Sequence, residues 1–464
     1  MIQIGHPSPG GSRRRPRGLL TFFFIFAVSV LTSSALRAEN LVVGLYPYVP
    51  GVQQFQDVLK AEWAKVEPTV TLTFLTEDEW DGGYDMDPPN EVDVFVFDGM
   101  FFNYFKAQGY LEALAANEVQ DLGDFVPYAI EGVKVANQYY SIPLLGCANI
   151  LFYQKTDAQL AAATTLSAVN SALNQCTYTS QIPPDRRGLM VDLKGGTTNA
   201  TFYLDAAHAI NGIFPLPLPA DQSQIDRQAM DNVRSLLSMA SYYNATEEAP
   251  GEYGRAIWMS DGYGRALIGF TEAMSQMTPA MLDAIAFRLA PLSDVSKPPL
   301  FYADVIGINT KAVGRGKRAL SVKLANLMAA SDTVVQMFSA GGKHGNPQYL
   351  MATRPTVFDA LGKTFPIYKD MYKLLTTSKP VMFRLNDTAR SWLTSMKDTI
   401  RNDVRAGYAC ACDQPASQSI PDNAAAPPIC EKTCAAHGGW NGQWSNDIPG
   451  TDGSVCGCKA CPIQ

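Results

Sequence analysis

The chain has 464 residues, 47 % of them hydrophobic, with 37 Lys and Arg against 44 Asp and Glu for a formal charge of −7. The first 38 residues hold five Arg and no acid, so the remainder carries about −12 and no basic run, which argues against a nucleic-acid groove and suits a small cationic ligand better. That remainder exceeds one compact core of roughly 250 to 300 residues, so two lobes and a tail are expected.

The amino end reads SRRRPR (12–17), then the apolar run LLTFFFIFAVSVL (19–31), then small residues around Ala35 and Ala38. A basic start, a short apolar middle and a small-residue exit form a secretory signal, placing the mature protein in the periplasm or outside the cell. Thirteen residues fall short of the roughly 20 that span a bilayer, and the only other strongly apolar segment, LGCANILF, is shorter still. No stable membrane association is expected.

LVVGLY (41–46) is a buried-strand run, and VQQFQDVLKAEWAKV (52–66) carries Val52, Phe55, Leu59, Trp63 and Val66 at helical steps of three and four. TVTLTFL (69–75) alternates as a strand and EVDVFVFDG (91–99) is another, so a parallel α/β sheet is predicted. A hairpin-like run, GVKVANQYYSIPLLG, follows the helix at 101–111. Further helices are predicted at 156–174, 199–211, 224–242, 277–286, 317–331, 356–376 and 389–405, with strand ends in 188–196 and 266–274. LFYADVIGINT (300–310) reads as a late strand returning to the first lobe.

The predicted domains are a signal at 1–38 and a two-lobed body at 39–408. Lobe 1 takes about 40–145 and 290–340, lobe 2 about 146–289, and closing helices 341–408. A linker, 409–429, precedes a module at 430–464. Seven of the nine cysteines fall at 410, 412, 430, 434, 456, 458 and 461. In an exported chain this density reads as disulfides, with a zinc site at CGCKAC as the alternative. Seven being odd, one thiol stays unpaired, bonds another chain or joins Cys176.

Cys147, in YSIPLLGCANILFYQK (140–155), stands apart from that cluster. Read by its residues alone, it is either a small buried hydrophobe or a used sulfur. His208, His344 and His437 are scattered, no Ser-His-Asp group or phosphate loop appears, and no metal or organic cofactor is implied.

LYPYVP (45–50), DPPNEVDVFVFDG (87–99), YSIPLLGCANILFYQK, KGGTTNATFYLDA (194–206), RALIGFTEAM (265–274) and LFYADVIGINTK (300–311) resemble thiaminase I, thiamine pyridinylase, in family order over about residues 40–405. The resemblance implies a type II periplasmic-binding-protein-like fold of two α/β lobes with the ligand between them. It implies a transferase that displaces the thiazole of thiamine with an amine or thiol, using Cys147 as nucleophile and Glu272 as its base. It further implies that Asp98 and Asp304 contact the pyrimidine or offset the thiazolium charge. Tyr46, Tyr48, Tyr84, Tyr253 and Tyr302 would line the cleft, where aromatic faces attract a flat cation. Phe270 departs from the family pattern, which commonly has a tyrosine there. For Asp98 a helix N-cap is the rival role.

In the tail, GGWNGQW and SVCGC resemble small mannan-binding lectin modules. That resemblance implies contact with a mannose-type glycan through Trp440, Asn441, Gln443 and Trp444, the rival being Trp rings that fill a small core. For the whole chain the alternative is a non-catalytic thiamine or pyrimidine-binding protein serving a transporter. A glycan-binding protein whose body only positions the tail is a third reading.

Overall fold

The computed structural model describes residues 39–174, 183, 186, 188–246, 251–295, 297–406, 413–446 and 453–458. The predicted signal and Cys176, Cys410, Cys412 and Cys461 lie outside them, as do the side chains of Asn441 and Gln443. Among the described residues no helix is long and apolar enough to cross a membrane.

Lobe 1 is built on a seven-stranded sheet. Its strands are β1 (Glu39–Gly44), β2 (Val70–Phe74), β3 (Val94–Asp98), β6 (Ile142–Cys147), β11 (Leu300–Ile308), β12 (Met351–Ala352) and β13 (Val381–Met382); a two-rung hairpin, β4 (Lys134–Val135) and β5 (Gln138–Tyr139), lies apart. The order is β12-β6-β11-β3-β1-β2, with β13 paired to β11. All five residues of β3 and all nine of β11 are buried, because both faces of the sheet are covered. The helix Val52–Val66 presses Phe55, Leu59 and Trp63 onto it, and Trp63 Nε1 donates to Val70 O at 3.0 Å.

The sheet is mixed: β1, β2 and β3 are parallel, as are β11 and β13, whereas β11 runs antiparallel to both β3 and β6 and β12 antiparallel to β6. The parallel α/β sheet predicted from residues 41–99 is found in β1, β2 and β3; β11 arrives from the other lobe, so no crossover helix dictates its direction.

Lobe 2 holds a four-stranded sheet, β10-β7-β9-β8, from β7 (Ile150–Gln154), β8 (Leu189–Met190), β9 (Ala266–Gly269) and β10 (Ile285–Leu289). The chain crosses from lobe 1 through Ala148 and Asn149, and returns through residues 290–299. The predicted helix at 277–286 is shorter, Pro279–Ala284, and gives way to β10, whose Phe287 pairs with Phe152. The predicted helix 156–174 is two, Ala158–Ala162 and Leu166–Leu173, and that at 356–376 breaks at Pro366 into Pro355–Thr364 and Ile367–Ser378.

Residues 341–408 are more than closing helices. They give β12 and β13 to lobe 1, whereas the helix Ala389–Ala406 packs on the lobe 2 helices Gly196–Asn211 and Arg227–Ser238, where Arg234 Nη2 meets Asp403 Oδ1 at 2.7 Å.

The predicted linker is part of the tail module. Its strand β14 (Asp413–Pro415) pairs with β16 (Val455–Cys458), which also pairs with β15 (Trp440–Ser445), and Ile420 is wholly buried in the module's own core. The prolines mislead because Pro415 sits on an edge strand and Pro427 in the first turn of the helix Ala426–Thr433, where a missing N–H costs little. Cys430–Cys456 and Cys434–Cys458 are disulfides, which displaces the zinc alternative for these four residues. They close loops with sequence separations of 26 and 24, each contributing about 3 kcal/mol in the chain-entropy picture.

The two cores share no buried residue. Reduction is therefore expected to unfold the tail first, leaving the main calorimetric transition of the body in place. A single joint transition lost on reduction would contradict this.

Candidate active site

The sequence places its chemistry where strands end at the lobe boundary. Cys147 is the last residue of β6, half-buried, not disulfide-bonded, and level with Tyr302 across the ladder to β11. The residue before it has to be glycine, because a Cβ on Gly146 would collide with Tyr128 Oη, which lies 3.4 Å from Tyr302 O.

Asp98 ends β3 and faces Asp304 of β11 directly. Its Oδ1 accepts from Met100 N at 2.9 Å, so the N-cap role is real, while Oδ2 accepts from Tyr84 Oη at 2.8 Å. Tyr84 Oη is in turn 3.2 Å from Tyr46 Oη. Tyr48, 55 % exposed, sets its ring edge-on to both, at 5.4 Å from Tyr46 and 5.7 Å from Tyr84. These three tyrosines and Asp98 form one patch on lobe 1.

Glu272 follows β9 in the short turn Thr271–Gln276 of lobe 2. Strands β7 and β9 are antiparallel with Ile150 opposite Gly269. Past that ladder the charge of Glu272 acts on Asp304 of β11, the strand whose Tyr302 is level with Cys147, so the thiol and the carboxyl both border that strand. Glu272 Oε2 is buried without a hydrogen-bond partner. An acceptor buried in this way costs free energy that a donor brought by a ligand would recover.

Three buried carboxyl groups, at 5 to 6 % exposure, therefore converge from both lobes. Burial raises Asp98 to about 6 and Glu272 to about 7. Asp304 is pushed furthest, by burial and then by the charges of Asp98 and Glu272. The hydroxyls of Tyr46, Tyr84 and Tyr302 are likewise raised, by burial first. Such a site resists holding three negative charges unless a cation enters with them.

Tyr302 stacks on Phe383 at 4.6 Å, and Phe270 meets it edge-on at 5.9 Å, so the ring at 270 packs against a cleft tyrosine without a hydroxyl of its own. Tyr253, half-buried, lies near the start of the helix Gly251–Ser260, which packs on the turn that carries Glu272. Among the described residues no group of His, Cys, Asp and Glu is arranged to hold a metal ion.

Sequence reasoning missed Asn149, Asp205, Tyr128 and Phe383. Asn149 Nδ2 donates to Asp205 Oδ2 at 2.9 Å, both side chains buried. Both residues sit inside stretches that drew attention for other residues, two positions past Cys147 and near the end of KGGTTNATFYLDA. Phe383 carries no local signal, since only the folded chain brings it to Tyr302.

In the tail, Trp440 and Trp444 lie on β15 across from Cys458 and Cys456 and are partly buried against the module's core. Trp444 Nε1 donates to Asn423 Oδ1 at 2.9 Å. Both rings therefore pack on the disulfides while keeping part of their surface in solvent.

Comparison with known proteins agrees with this layout. Residues 148–293 match the Thiaminase-1 domain family, and residues 423–458 match the Mannan-binding protein family. Thiaminase-1 of Paenibacillus thiaminolyticus is 33 % identical over 377 residues, 79 % of this chain and 89 % of the relative. The structure of Clostridium botulinum thiaminase I in complex with thiamin superposes with a TM-score of 0.73 at 33 % identity, covering 78 % of this chain and 99 % of that one. A maltose-bound protein of T. maritima superposes at 0.58 with 14 % identity, over 79 % of this chain and 95 % of that one, which shows the shared two-lobed binding-protein fold alone. The chain belongs to the thiaminase I family, on a type II periplasmic-binding-protein-like fold with a disulfide-bonded C-terminal module.

Proposed function

We propose that the chain is an exported thiaminase that degrades thiamine, replacing its thiazole with an amine or thiol through a covalent Cys147 adduct. The observation that supports this reading is that Glu272, from lobe 2, acts on Asp304 of β11, the same strand whose Tyr302 stands across from Cys147. A thiol near pKa 8.5 is only a few per cent ionised at pH 7, and a base with a pKa near the working pH serves best. Glu272, at about 7, fits that demand.

In this scheme Glu272 takes the Cys147 proton and the thiolate adds to the pyrimidine ring. The bond from the bridging methylene to the thiazolium nitrogen breaks, and the thiazole leaves with the electron pair. Glu272 yields its first proton to the pyrimidine and takes the one lost by an external amine or thiol as this attacks the methylene; the sulfur departs as thiolate and recovers a proton from Glu272, while the pyrimidine releases its own to solvent. Covalent catalysis divides one hard displacement into two easier ones. Asp98 and Asp304 bind the aminopyrimidine or balance the positive charge. Tyr46, Tyr48, Tyr84, Tyr253 and Tyr302 line the path of the cation. No cofactor is needed.

Export follows from the amino-terminal pattern and suits the disulfides of the tail, which form in oxidising compartments. The match of the tail to the Mannan-binding protein family supports a mannose-type glycan as its partner, with Trp440 and Trp444 offering apolar ring faces and Asn441 and Gln443 the amides.

Thiamine consumption with an added amine should vanish in Cys147→Ser while thiamine binding persists. Intact-mass measurement should find a pyrimidine adduct of a 4-chloropyrimidine analogue on the wild type only. A passive receptor would show neither turnover nor adduct. Because the base must be ionised, kcat/KM should fall as pH drops below about 7, and Glu272→Gln should lower it by roughly 10²- to 10⁴-fold; an unchanged profile in that variant would remove Glu272 from the scheme.

Asp304 binds its proton more tightly folded than unfolded, so as pH rises above its unfolded value the empty cleft loses stability. Asp304→Asn should therefore melt higher than the wild type at pH 7.5, by roughly 1 kcal/mol, while losing activity. A lower melting point would show that this carboxyl is stabilising.

A further inference from the structure

Two buried polar side chains that the reaction scheme leaves unused meet directly behind the proposed nucleophile. Asn149, two residues past Cys147, donates to Asp205 at 2.9 Å, and its carbonyl accepts from Ala290 N at 2.8 Å on the returning crossover. Asp205 belongs to the lobe 2 helix Gly196–Asn211. One turn further along, His208 sets Nε2 3.0 Å from the carbonyl oxygen of Pro298, also on the returning crossover. One face of a single helix thus grips both segments that join the lobes.

The grip is not a product of tight apolar packing. A cavity of about 470 Å³ lies against it, lined by Ala148, Asn149, Asp205, His208 and Lys297 among others. Nor is Asp205 a cheap residue to keep, since burial raises it to about 6, with the Asn149 hydrogen bond and the His208 charge only partly offsetting that cost. Where a polar pair is buried at a cost that well-packed apolar side chains would avoid, a role other than stability is indicated.

On the lobe 1 side, Cys147 is held by the ladder to Tyr302; on the lobe 2 side, the next ordered anchor of its backbone is Asn149. We propose that Asp205 is a positioning residue for thiamine cleavage, holding Asn149 so that the short segment carrying the Cys147 thiol keeps a fixed aim relative to the lobe that bears Glu272. This rests on the reading of Cys147 as nucleophile. Misplacing a reacting group by about 1 Å can cost on the order of 100-fold in rate.

The test uses the full-length chain with thiamine and an amine, in Asp205→Ala, Asn149→Ala, the double variant and Asp205→Asn. Asp205→Ala should lower kcat by about 10- to 100-fold with KM within about twofold, and should slow adduct formation by the 4-chloropyrimidine analogue by the same factor. Asn149→Ala should match it, and the double variant should be no worse than either, as expected of two residues acting as one unit. Asp205→Asn, whose amide oxygen still accepts from Asn149, should recover most of the rate. An unchanged kcat in Asp205→Ala, additive losses in the double variant, or no recovery in Asp205→Asn would overturn the assignment. So would a rate loss that merely tracks the fraction unfolded in each variant's melting curve. A wild type that neither consumes thiamine nor forms the adduct would overturn the nucleophile reading itself; normal wild-type turnover with an unaffected Asp205→Ala would overturn only this inference.

Discussion

Asp304 and Asp98 stand opposite each other on neighbouring strands, β11 and β3, that are buried along their whole length. Like charges placed so are destabilising, and a carboxylate in that position has little water to share its charge with. The arrangement persists because the rest of the molecule over-determines it. Strand β11 is wedged between β3 and β6 with nine buried residues, and Trp63, Phe55 and Leu59 load the covering helix onto the same sheet. The apolar frame supplies the stability that the acidic pair subtracts, so the gap between the lobes stays primed for a positive charge.

That frame also explains the connectivity. A strand can enter between β3 and β6 in antiparallel sense only if the chain has first gone elsewhere, and the excursion is lobe 2. The departing crossover delivers Cys147, the excursion delivers Glu272, and the returning crossover delivers Tyr302 and Asp304. Cys147, Asp98 and Glu272 lie at the end of a strand or just beyond it, whereas Tyr302 and Asp304 lie within β11, beside the ends of β6 and β3.

Much of this was legible in the sequence. Runs such as VDVFVFD and LFYADVIGI are apolar throughout, as strands buried on both faces are, and each ends on or contains an acid that stands out for that reason. Helix limits were less legible. Pro366 interrupts what the periodicity reads as one helix, and the stretch AIAFRL satisfies both helical and strand patterns until Phe152 across the ladder decides it. Strand direction in lobe 1 depends on the path of residues over 150 positions away, which no local pattern records. The tail shows the opposite failure, a composition that imitates a linker although Ile420 anchors it in a core of its own. Asn149 and Asp205 were invisible because their meaning lies in each other, 56 residues apart.

The pairing of the tail cysteines sets a condition on the body. Surroundings oxidising enough to join Cys430 to Cys456 also threaten any other thiol, and in the proposed reaction the sulfur at 147 has to be reduced. Its seat at the end of an interior strand is half-buried, with Tyr302 level across the ladder on one side and the crossover on the other. Access is one of the factors that govern disulfide exchange, so half-burial slows attack by another protein's thiol more than approach by a vitamin-sized partner.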